Sequence, residues 1–366
     1  MKILVTGAKG FIGKNLVLKL KNMNHTVFEY DKDISENILK AYCDEADFVF
    51  HLAGVNRPEN DYEFVEGNKN FTERLISYIT AKKIPLMFSS SIQAELNNPY
   101  GKSKLAAEYA VREYSEKTGA PVYIYRFPNV FGKWCKPNYN SVIATFCHNI
   151  ANDLPIQINN SEHILNLVYI DDVVDELCRC VDGLPNMDGE FYSVKTVYTK
   201  KLGEIAELIN GFRNCTTNLS IPDQSDGFTK KLYSTYLSYL PQDNFKYSLK
   251  MNCDNRGSFT EFIRTADKGQ VSINISKAGI VKGNHWHNTK HEIFLVVSGS
   301  GVIRFRNPDS EEIIEVYVSG EKLEPVIIPP GYTHNIENTG NTDMVTVMWA
   351  NEVFDKDNPD TYYLEV

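Results

Sequence analysis

Four residues near the C-terminal end have the types and spacing of a metal site. His285 and His287 stand two apart, so a strand would turn both imidazoles to one face. Glu292 can return from the next strand, and His334 follows the turn Pro329-Pro330-Gly331. Three imidazoles and a carboxylate suit Zn, Mn, Fe or Ni, and the residue types do not choose among them. Near the other end, Gly7, Gly10 and Gly13 are spaced GxxGxxG after the apolar residues 3–5, and Phe11 and Ile12 open a helical pattern. Glycines there let the backbone approach a pyrophosphate, which then rests on the helix N-terminus. Asp31 ends the second apolar run; a carboxylate there accepts hydrogen bonds from an adenosine ribose and repels a 2′-phosphate. The neighbouring Lys32 would favour that phosphate, so these residues leave NAD and NADP open.

Tyr100 and Lys104 form YxxxK, and on a helix the two side chains share a face. A nearby ammonium favours phenolate and lowers the tyrosine pKa, which suits proton transfer to a sugar oxygen during hydride transfer. Ser89-Ser90-Ser91 ends a strand pattern upstream, where a hydroxyl could bind the same oxygen. The segment 132–140 mixes cations, aromatics and amides, with Lys133, Lys136 and Asn138 suited to a diphosphate and a sugar. Cys135 in that segment has no paired base and is not read as a nucleophile.

The elements that must hold these groups fall into two textures. Up to about residue 180, strands (2–6, 25–30, 47–53, 86–90, 121–126) alternate with helices such as 11–20, the pattern of a doubly wound parallel sheet. Later, short strands at 270–276, 292–297, 301–306, 312–318, 326–328 and 344–349 alternate with turns, the pattern of an all-β sandwich or barrel. The expected division is residues 1–243 and 244–366, with 214–226 as a polar loop. The length of 366 residues suggests two or three domains at about 150 residues each. A net charge of −9 argues against nucleic acid or an anionic membrane as partner. Seven scattered cysteines with no CxxC point to reduced thiols in a cytoplasm. Glycines and lysines at 7–14 break up any signal-peptide core, and no run of 18 apolar residues suggests a membrane helix.

The glycine turn, the serine strand and YxxxK together resemble the extended short-chain dehydrogenase/reductases that act on nucleotide sugars. His51-Leu52-Ala53-Gly54 resembles that family's cofactor-side motif, Asn68 its helix motif, Arg126-Phe127-Pro128-Asn129-Val130-Phe131-Gly132 its RxxNxxG segment, and residues 168–173 its VHVDDV-like segment. The likeness implies an α/β Rossmann fold over residues 1 to about 240. It implies cofactor contacts at Gly7, Gly10, Phe11, Ile12, Gly13, Asp31, Lys32, Leu52, Ala53 and Lys104, and substrate contacts at Arg126 and Asn129. The catalytic set is Tyr100, Lys104 and a serine, Ser91 ahead of Ser90 by position in the strand. Only eight residues separate Ser91 from Tyr100, shorter than in many relatives.

Residues 275–340 resemble a cupin, an all-β barrel, through G-x5-H-x-H-x4-E-x6-G and PxG-x2-H-x3-N. One departure is Leu323 where the second motif has a glycine; Gly320 is the nearest, which reads as a longer hairpin. Asp254-Asn255-Arg256-Gly257-Ser258-Phe259-Thr260-Glu261 resembles the DxRGxFxE segment of cupin-type epimerases of 4-keto-6-deoxyhexose nucleotides, which implies substrate contacts at Arg256 and Glu261.

The joint order resembles one bifunctional family that makes UDP-2-acetamido-2,6-dideoxy-L-talose for bacterial capsular polysaccharide, on the way to N-acetyl-L-fucosamine. That resemblance implies a homodimer, a Zn2+ cupin that epimerises C3 of a UDP-linked 4-keto-6-deoxy amino sugar, and a reductase domain that reduces C4 with NADPH, Lys32 lying near the 2′-phosphate. His291, Lys290 and Tyr332 are the candidates for the acid/base at C3. The alternatives are a monofunctional UDP-4-ketosugar reductase with a structural or dimerising cupin, and a non-catalytic sensor.

Overall fold

The structure is a computed structural model and describes residues 1–265 and 267–366. Two compact units share the chain: Met1–Ile209 with Lys231–Leu240, and Asn210–Lys230 with Pro241–Val366. In the first, β1 (Lys2–Thr6), α1 (Phe11–Asn22), β2 (Thr26–Tyr30), α2 (Glu36–Glu45), β3 (Phe48–His51), β4 (Leu86–Ser91) and β5 (Val122–Phe127) form the frame. The strands lie in the order β2-β1-β3-β4-β5, all parallel, extended by Phe191–Tyr192 and then Met187–Asp188. Successive strand residues point to opposite faces, and each face has its own apolar cluster. Ile3, Val5, Phe48, Phe50 and Met87 join one cluster; Leu4, Val49, Leu86 and Phe88 join the other. Burial on both faces explains why these strands read as unbroken apolar runs.

The chain runs from β1 out to β2, then crosses back to β3 on the other side of β1. Ligands of such sheets bind at that reversal, outside the carboxyl ends of the strands. Gly7 follows β1, Asp31 follows β2, Leu52 and Ala53 follow β3, and Ser91 ends β4. β3 stops at His51, short of the expected 47–53, because Leu52–Val55 leaves the sheet to line that crevice.

Both sheets of the second unit are antiparallel. One sheet has six strands in the order Met251–Asp254, Gly257–Thr265, Gly269–Ser276, Met344–Ala350, Glu292–Ser298, Val326–Ile328. The other has five: Ile313–Ser319, Ser300–Arg306, Thr333–Asn338, Val281–Trp286, Tyr362–Tyr363. Phe294, Val296, Ile303, Phe305, Ile328, Ile336 and Met344, drawn from both sheets, make one core, as in a double-sheet barrel. Gly320 stands where its amide donates to Gly299 O at 2.9 Å and a Cβ would lie 2.6 Å from Ser298 Cα. The hairpin glycine is thus met at 320 in place of 323. The expected loop 214–226 is partly ordered: Cys215–Asn218 is a helical turn, and Arg264 N donates to Leu219 O at 2.7 Å while Ile221 N donates to Arg264 O at 3.0 Å. Backbone pairing with a distant strand orders a stretch whose polar side chains give no such sign.

Candidate cofactor and metal sites

At the first site the glycines are set by contact. Gly7 has φ +70°, and a Cβ there would lie 2.8 Å from Ala53 N. A Cβ on Gly13 would lie 2.1 Å from Gly7 O. Gly10 N donates to Gly7 O at 2.9 Å and caps α1, whose first turn carries no acidic residue. Phe11 and Ile12 pack their side chains on the core, leaving their backbone at the helix start. A cleft of about 520 Å³ opens here, lined by Gly7, Gly10, Asp31, Lys32, Leu52 and Ala53, and also by Glu66, Phe71 and Arg74, which sequence reasoning missed. The backbone cradle and the bare helix N-terminus fit a dinucleotide pyrophosphate.

Behind the cleft, His51 is buried between two hydroxyls. Thr72 Oγ1 donates to Asn68 O at 2.6 Å, so it accepts from His51 Nε2 at 2.8 Å, and His51 Nδ1 accepts from Thr6 Oγ1 at 2.7 Å. Burial pushes this imidazole down to about 3, with Lys104 adding to the effect, so it stays neutral. Asn68 donates to Val55 O at 3.1 Å and Ser103 Oγ at 2.9 Å and accepts from Val55 N at 2.9 Å, tying the cleft wall to the YxxxK helix.

That helix, Pro99–Thr118, begins at Asn98, whose side chain accepts from Gly101 N at 2.7 Å. Tyr100 packs on Phe64 with ring centroids 5.7 Å apart. Burial raises its phenol pKa, and a hydrogen bond from Ser91 partly offsets the rise. The sequence expectation was a lowered pKa; desolvation outweighs it, and the phenol is held protonated. Lys104 is buried, donates to Ser89 O at 2.9 Å, and lies 5.1 Å from the Phe88 ring. Desolvation brings its ammonium down to about 8, against the pull of Glu108. A protonated phenol with a hydroxyl beside it and an ammonium behind it can deliver a proton to an oxygen.

Ser90 and Arg126 face elsewhere. Ser90 donates to the buried Glu108, which also takes Arg126 Nε at 2.9 Å and a terminal nitrogen at 2.7 Å. Arg126 also pairs with Glu95 at 2.8 Å and lies 4.0 Å from the Phe191 ring. Both side chains are committed to an ion-paired cluster that positions the helix, rather than to the Tyr100 hydroxyl. Glu108 was overlooked, though its spacing four beyond Lys104 places it on the same helix face. Asn129 donates to Asn166 O at 3.4 Å. Lys133 pairs with Asp171, Lys136 lies 5.3 Å from the Tyr139 ring, and Asn138 N donates to Thr145 Oγ1 at 3.0 Å. None of Arg126, Asn129, Lys133, Lys136 and Asn138 lines the 520 Å³ cleft. Burial raises the Cys135 thiol, which argues against a nucleophile there.

At the second site, His285, His287, Glu292 and His334 bring one ligand atom each to within 4.8 Å of one another. His285 and His334 are cross-strand partners, and Glu292 begins a strand of the other sheet. A bulge at Gly283 and Asn284 (φ +108° and +61°) re-aims His285; a Cβ on Gly283 would lie 2.8 Å from His334 O. His287 lies just past the strand end. Its Nδ1 donates to Asp360 O, leaving the Nε2 lone pair directed at the cluster. His287 Nε2 is 3.5 Å and His334 Nε2 3.6 Å from Glu292 Oε2. All three atoms are buried and lack hydrogen-bond partners. Such orphans cost about 1–3 kcal/mol each, and a divalent ion would satisfy them together, so the donor set fits a metal. Burial, with the neighbouring imidazoles, lowers His285 to about 4, so its ring is neutral and able to donate a lone pair.

Asp360 was missed, since it lies 70 residues or more from the loop it holds. Its carboxylate accepts from the backbone of Asn288, Thr289 and Lys290 at 2.9, 2.7 and 2.9 Å. These bonds hold its pKa well below the usual carboxylate range. The His/Glu cluster opens on a cavity of about 710 Å³ that is also lined by Arg256, Glu261, Lys282 and Lys290. Arg256 pairs with Asp254 at 2.6 Å, Glu261 pairs with Arg264, and Lys290 Nζ is 3.4 Å from Glu292 Oε1. Of the three acid/base candidates, Lys290 lines this cavity; His291 packs on Trp349 at 5.4 Å and Tyr332 on the barrel core.

Among the described residues no helix is long and apolar enough to cross a membrane. Residues 3–192 match the NAD dependent epimerase/dehydratase family, and residues 252–362 the polysaccharide biosynthesis C-terminal domain. The chain is 47% identical to the UDP-2-acetamido-2,6-beta-L-arabino-hexul-4-ose reductase of Pseudomonas aeruginosa, over 100% of this chain and 99% of that protein. It superposes on the capsular polysaccharide assembling protein CapF of Staphylococcus aureus with a TM-score of 0.95, at 56% identity and with all of both chains covered. The UDP-glucuronic acid 4-epimerase of Bacillus cereus in complex with NAD, 18% identical over 65% of this chain and 96% of that one, shares the fold of the first unit at a TM-score of 0.56. With a parallel-sheet dinucleotide cleft joined to an antiparallel barrel along one chain, this protein belongs to the NAD dependent epimerase/dehydratase family, in the branch that carries a polysaccharide biosynthesis C-terminal domain.

Proposed function

We propose that the chain epimerises C3 of a UDP-2-acetamido-2,6-dideoxy-4-hexulose at its barrel and then reduces C4 at its dinucleotide site, yielding UDP-2-acetamido-2,6-dideoxy-L-talose for capsular polysaccharide. The names of its relatives support the substrate class and the reductase half. The observation that carries the epimerase half is the orphaned His287, Glu292 and His334 atoms in a cavity that Arg256 and Glu261 also line. Residues 1–243 act as the reductase in this reading and 244–366 as the cupin, working as a homodimer in the cytoplasm. Exposed Ile313, Ile314 and Tyr317 on one barrel strand supply apolar surface for the dimer.

The residues divide the work as follows. A 4-ketone acidifies the C3 proton; a divalent ion, zinc in this reading, supplies Lewis acidity toward the ketone oxygen when bound by His285, His287, Glu292 and His334. Arg256 and Glu261 orient the substrate, and Lys290 is placed to move the C3 proton. In the first unit a nicotinamide supplies the hydride when bound, Ser91 holds the 4-oxygen, and Tyr100 gives it the proton. Lys104 keeps a positive charge behind the phenol. The balance is a ketone plus hydride plus proton giving a secondary alcohol. Lys133, Lys136, Asn138 and Asn129 remain proposed contacts of the nucleotide-sugar. Supplying the UDP-4-hexulose in D2O, with and without dinucleotide, tests the reading. Deuterium at C3 without dinucleotide, and dinucleotide oxidation when it is present, are expected. Oxidation with no C3 exchange would instead favour a reductase with a structural cupin.

A further inference from the structure

The adenosine end of the dinucleotide cleft is built around one anchored carboxylate. Asp31 Oδ2 accepts from Lys9 N at 3.0 Å and Oδ1 from Lys32 N at 2.9 Å. Two backbone donors therefore fix both oxygens where β2 meets the glycine turn, and Ala8 N donating to Tyr30 O at 3.2 Å fixes the turn to that strand. Each oxygen keeps further acceptor capacity, and Asp31 lines the cleft. A ribose diol has two hydroxyl donors to give; a 2′-phosphate has only acceptors.

Two of the three cations nearby are committed to ion pairs. Lys9 is paired with Asp33. Arg74 is held by Glu66 at 2.6 Å with Glu36 at 3.9 Å, and Glu66 itself lines the cleft. Lys32 is exposed and has no ion-pair partner among the described residues. Around this end stand the carboxylates Asp31, Asp33, Glu36 and Glu66 against the cations Lys9, Lys32 and Arg74. A 2′-phosphate would bring about two further negative charges into contact with a carboxylate that cannot swing away without giving up two hydrogen bonds.

We infer that Asp31 makes this protein select NADH over NADPH, by binding the adenosine ribose hydroxyls and repelling a 2′-phosphate. This departs from the NADPH that the sequence resemblance implies, and it rests on the reading of the cleft as a dinucleotide site. The site discriminates by charge and hydrogen bonding at one carboxylate, and Lys32 alone does not reverse it.

Binding measured by NADH and NADPH fluorescence titration on the full chain, together with competition by AMP and by adenosine 2′-phosphate, tests the inference without turnover. NADH is expected to bind at least about tenfold more tightly than NADPH, in line with the loss typical of an unfavourable charge contact at a binding site, and AMP should outcompete adenosine 2′-phosphate. Asp31→Ser should narrow or invert that ratio, weakening NADH and strengthening NADPH. Asp31→Asn, which keeps the shape and one acceptor oxygen, should move the ratio in the same direction and serves if the serine variant does not fold. Equal or tighter binding of NADPH by the unaltered protein overturns the inference, as does a ratio unmoved by both substitutions. Failure of both dinucleotides to bind would strike at the cofactor reading of the cleft itself, a different outcome from NADPH preference.

Discussion

The two sites of this chain are built from different material. The dinucleotide cleft is mostly backbone: glycines that must be glycines, a helix start with free amides, and strand ends brought to one edge by topology. The barrel site is built of side chains, three imidazoles and a carboxylate that could hold a metal ion, with a carbonyl from Asp360 orienting one of them. A backbone site survives the loss of a single side chain better than a site in which each ligand is one side chain. The same contrast governs charge. The cleft has carboxylates paired with Lys9 and Arg74 around it, whereas the barrel holds buried polar atoms without hydrogen-bond partners.

The sharpest way to break that contrast is to empty the barrel site. Chelation, or His287→Ala, should stop deuterium entry at C3, because losing the ion's charge stabilisation forfeits several kcal/mol, roughly a thousandfold or more in rate. Dinucleotide binding should be unchanged, and ketone already epimerised should still be reduced. The check needs C3 exchange by NMR on protein whose first unit melts normally and whose oligomer size is unchanged, since metal binding couples to folding.

Next in size is the reciprocal change. Tyr100→Phe should cut reduction by about 10²–10⁴ while C3 exchange and metal content stay at the unaltered level. Dinucleotide oxidation near the normal rate would remove Tyr100 from the mechanism.

Glu108→Ala sharpens the comparison on the side of stability. It leaves Arg126 and Ser90 without their shared buried partner, and breaking such a pair costs about 3 kcal/mol. Chemical denaturation of the first unit measures it. A loss below about 0.5 kcal/mol would place this cluster with surface pairs of little worth.

The smallest effect is in the pH profile. Burial sets Lys104 near 8, below an ordinary lysine. The ammonium is therefore present below that pH and is lost above it. The kcat/KM of reduction should be level below about 8 and fall as pH rises through it, while C3 exchange should not show that limb. A reductase profile flat to pH 10 would contradict the role given to Lys104.

Local pattern made much of this legible. Strands such as Lys2–Thr6 and Val326–Ile328 lie within the apolar runs that announce them, because a short run bounded by turn residues has few other ways to bury itself. The gathering of His285, His287, Glu292 and His334 was legible because they recur at strand spacing and after a Pro-Gly turn. Asp360 was not, because a residue that orients a ligand from 70 or more positions away leaves no periodic mark. The Arg126 motif carries no sign of its pairing with Glu108, whose burial no spacing rule announces. The raised Tyr100 pKa also escaped, since YxxxK encodes the ammonium and not the desolvation around the phenol.

The central claim is that one chain carries two separable chemistries on the same sugar. The most direct test follows C3 deuterium and dinucleotide absorbance together, for metal-loaded, metal-free and Tyr100→Phe protein given the UDP-4-hexulose in D2O. The account predicts exchange without oxidation in Tyr100→Phe, oxidation of pre-epimerised ketone without exchange in the metal-free protein, and both in the loaded protein. A folded metal-free protein that exchanged C3 at the loaded rate would contradict it.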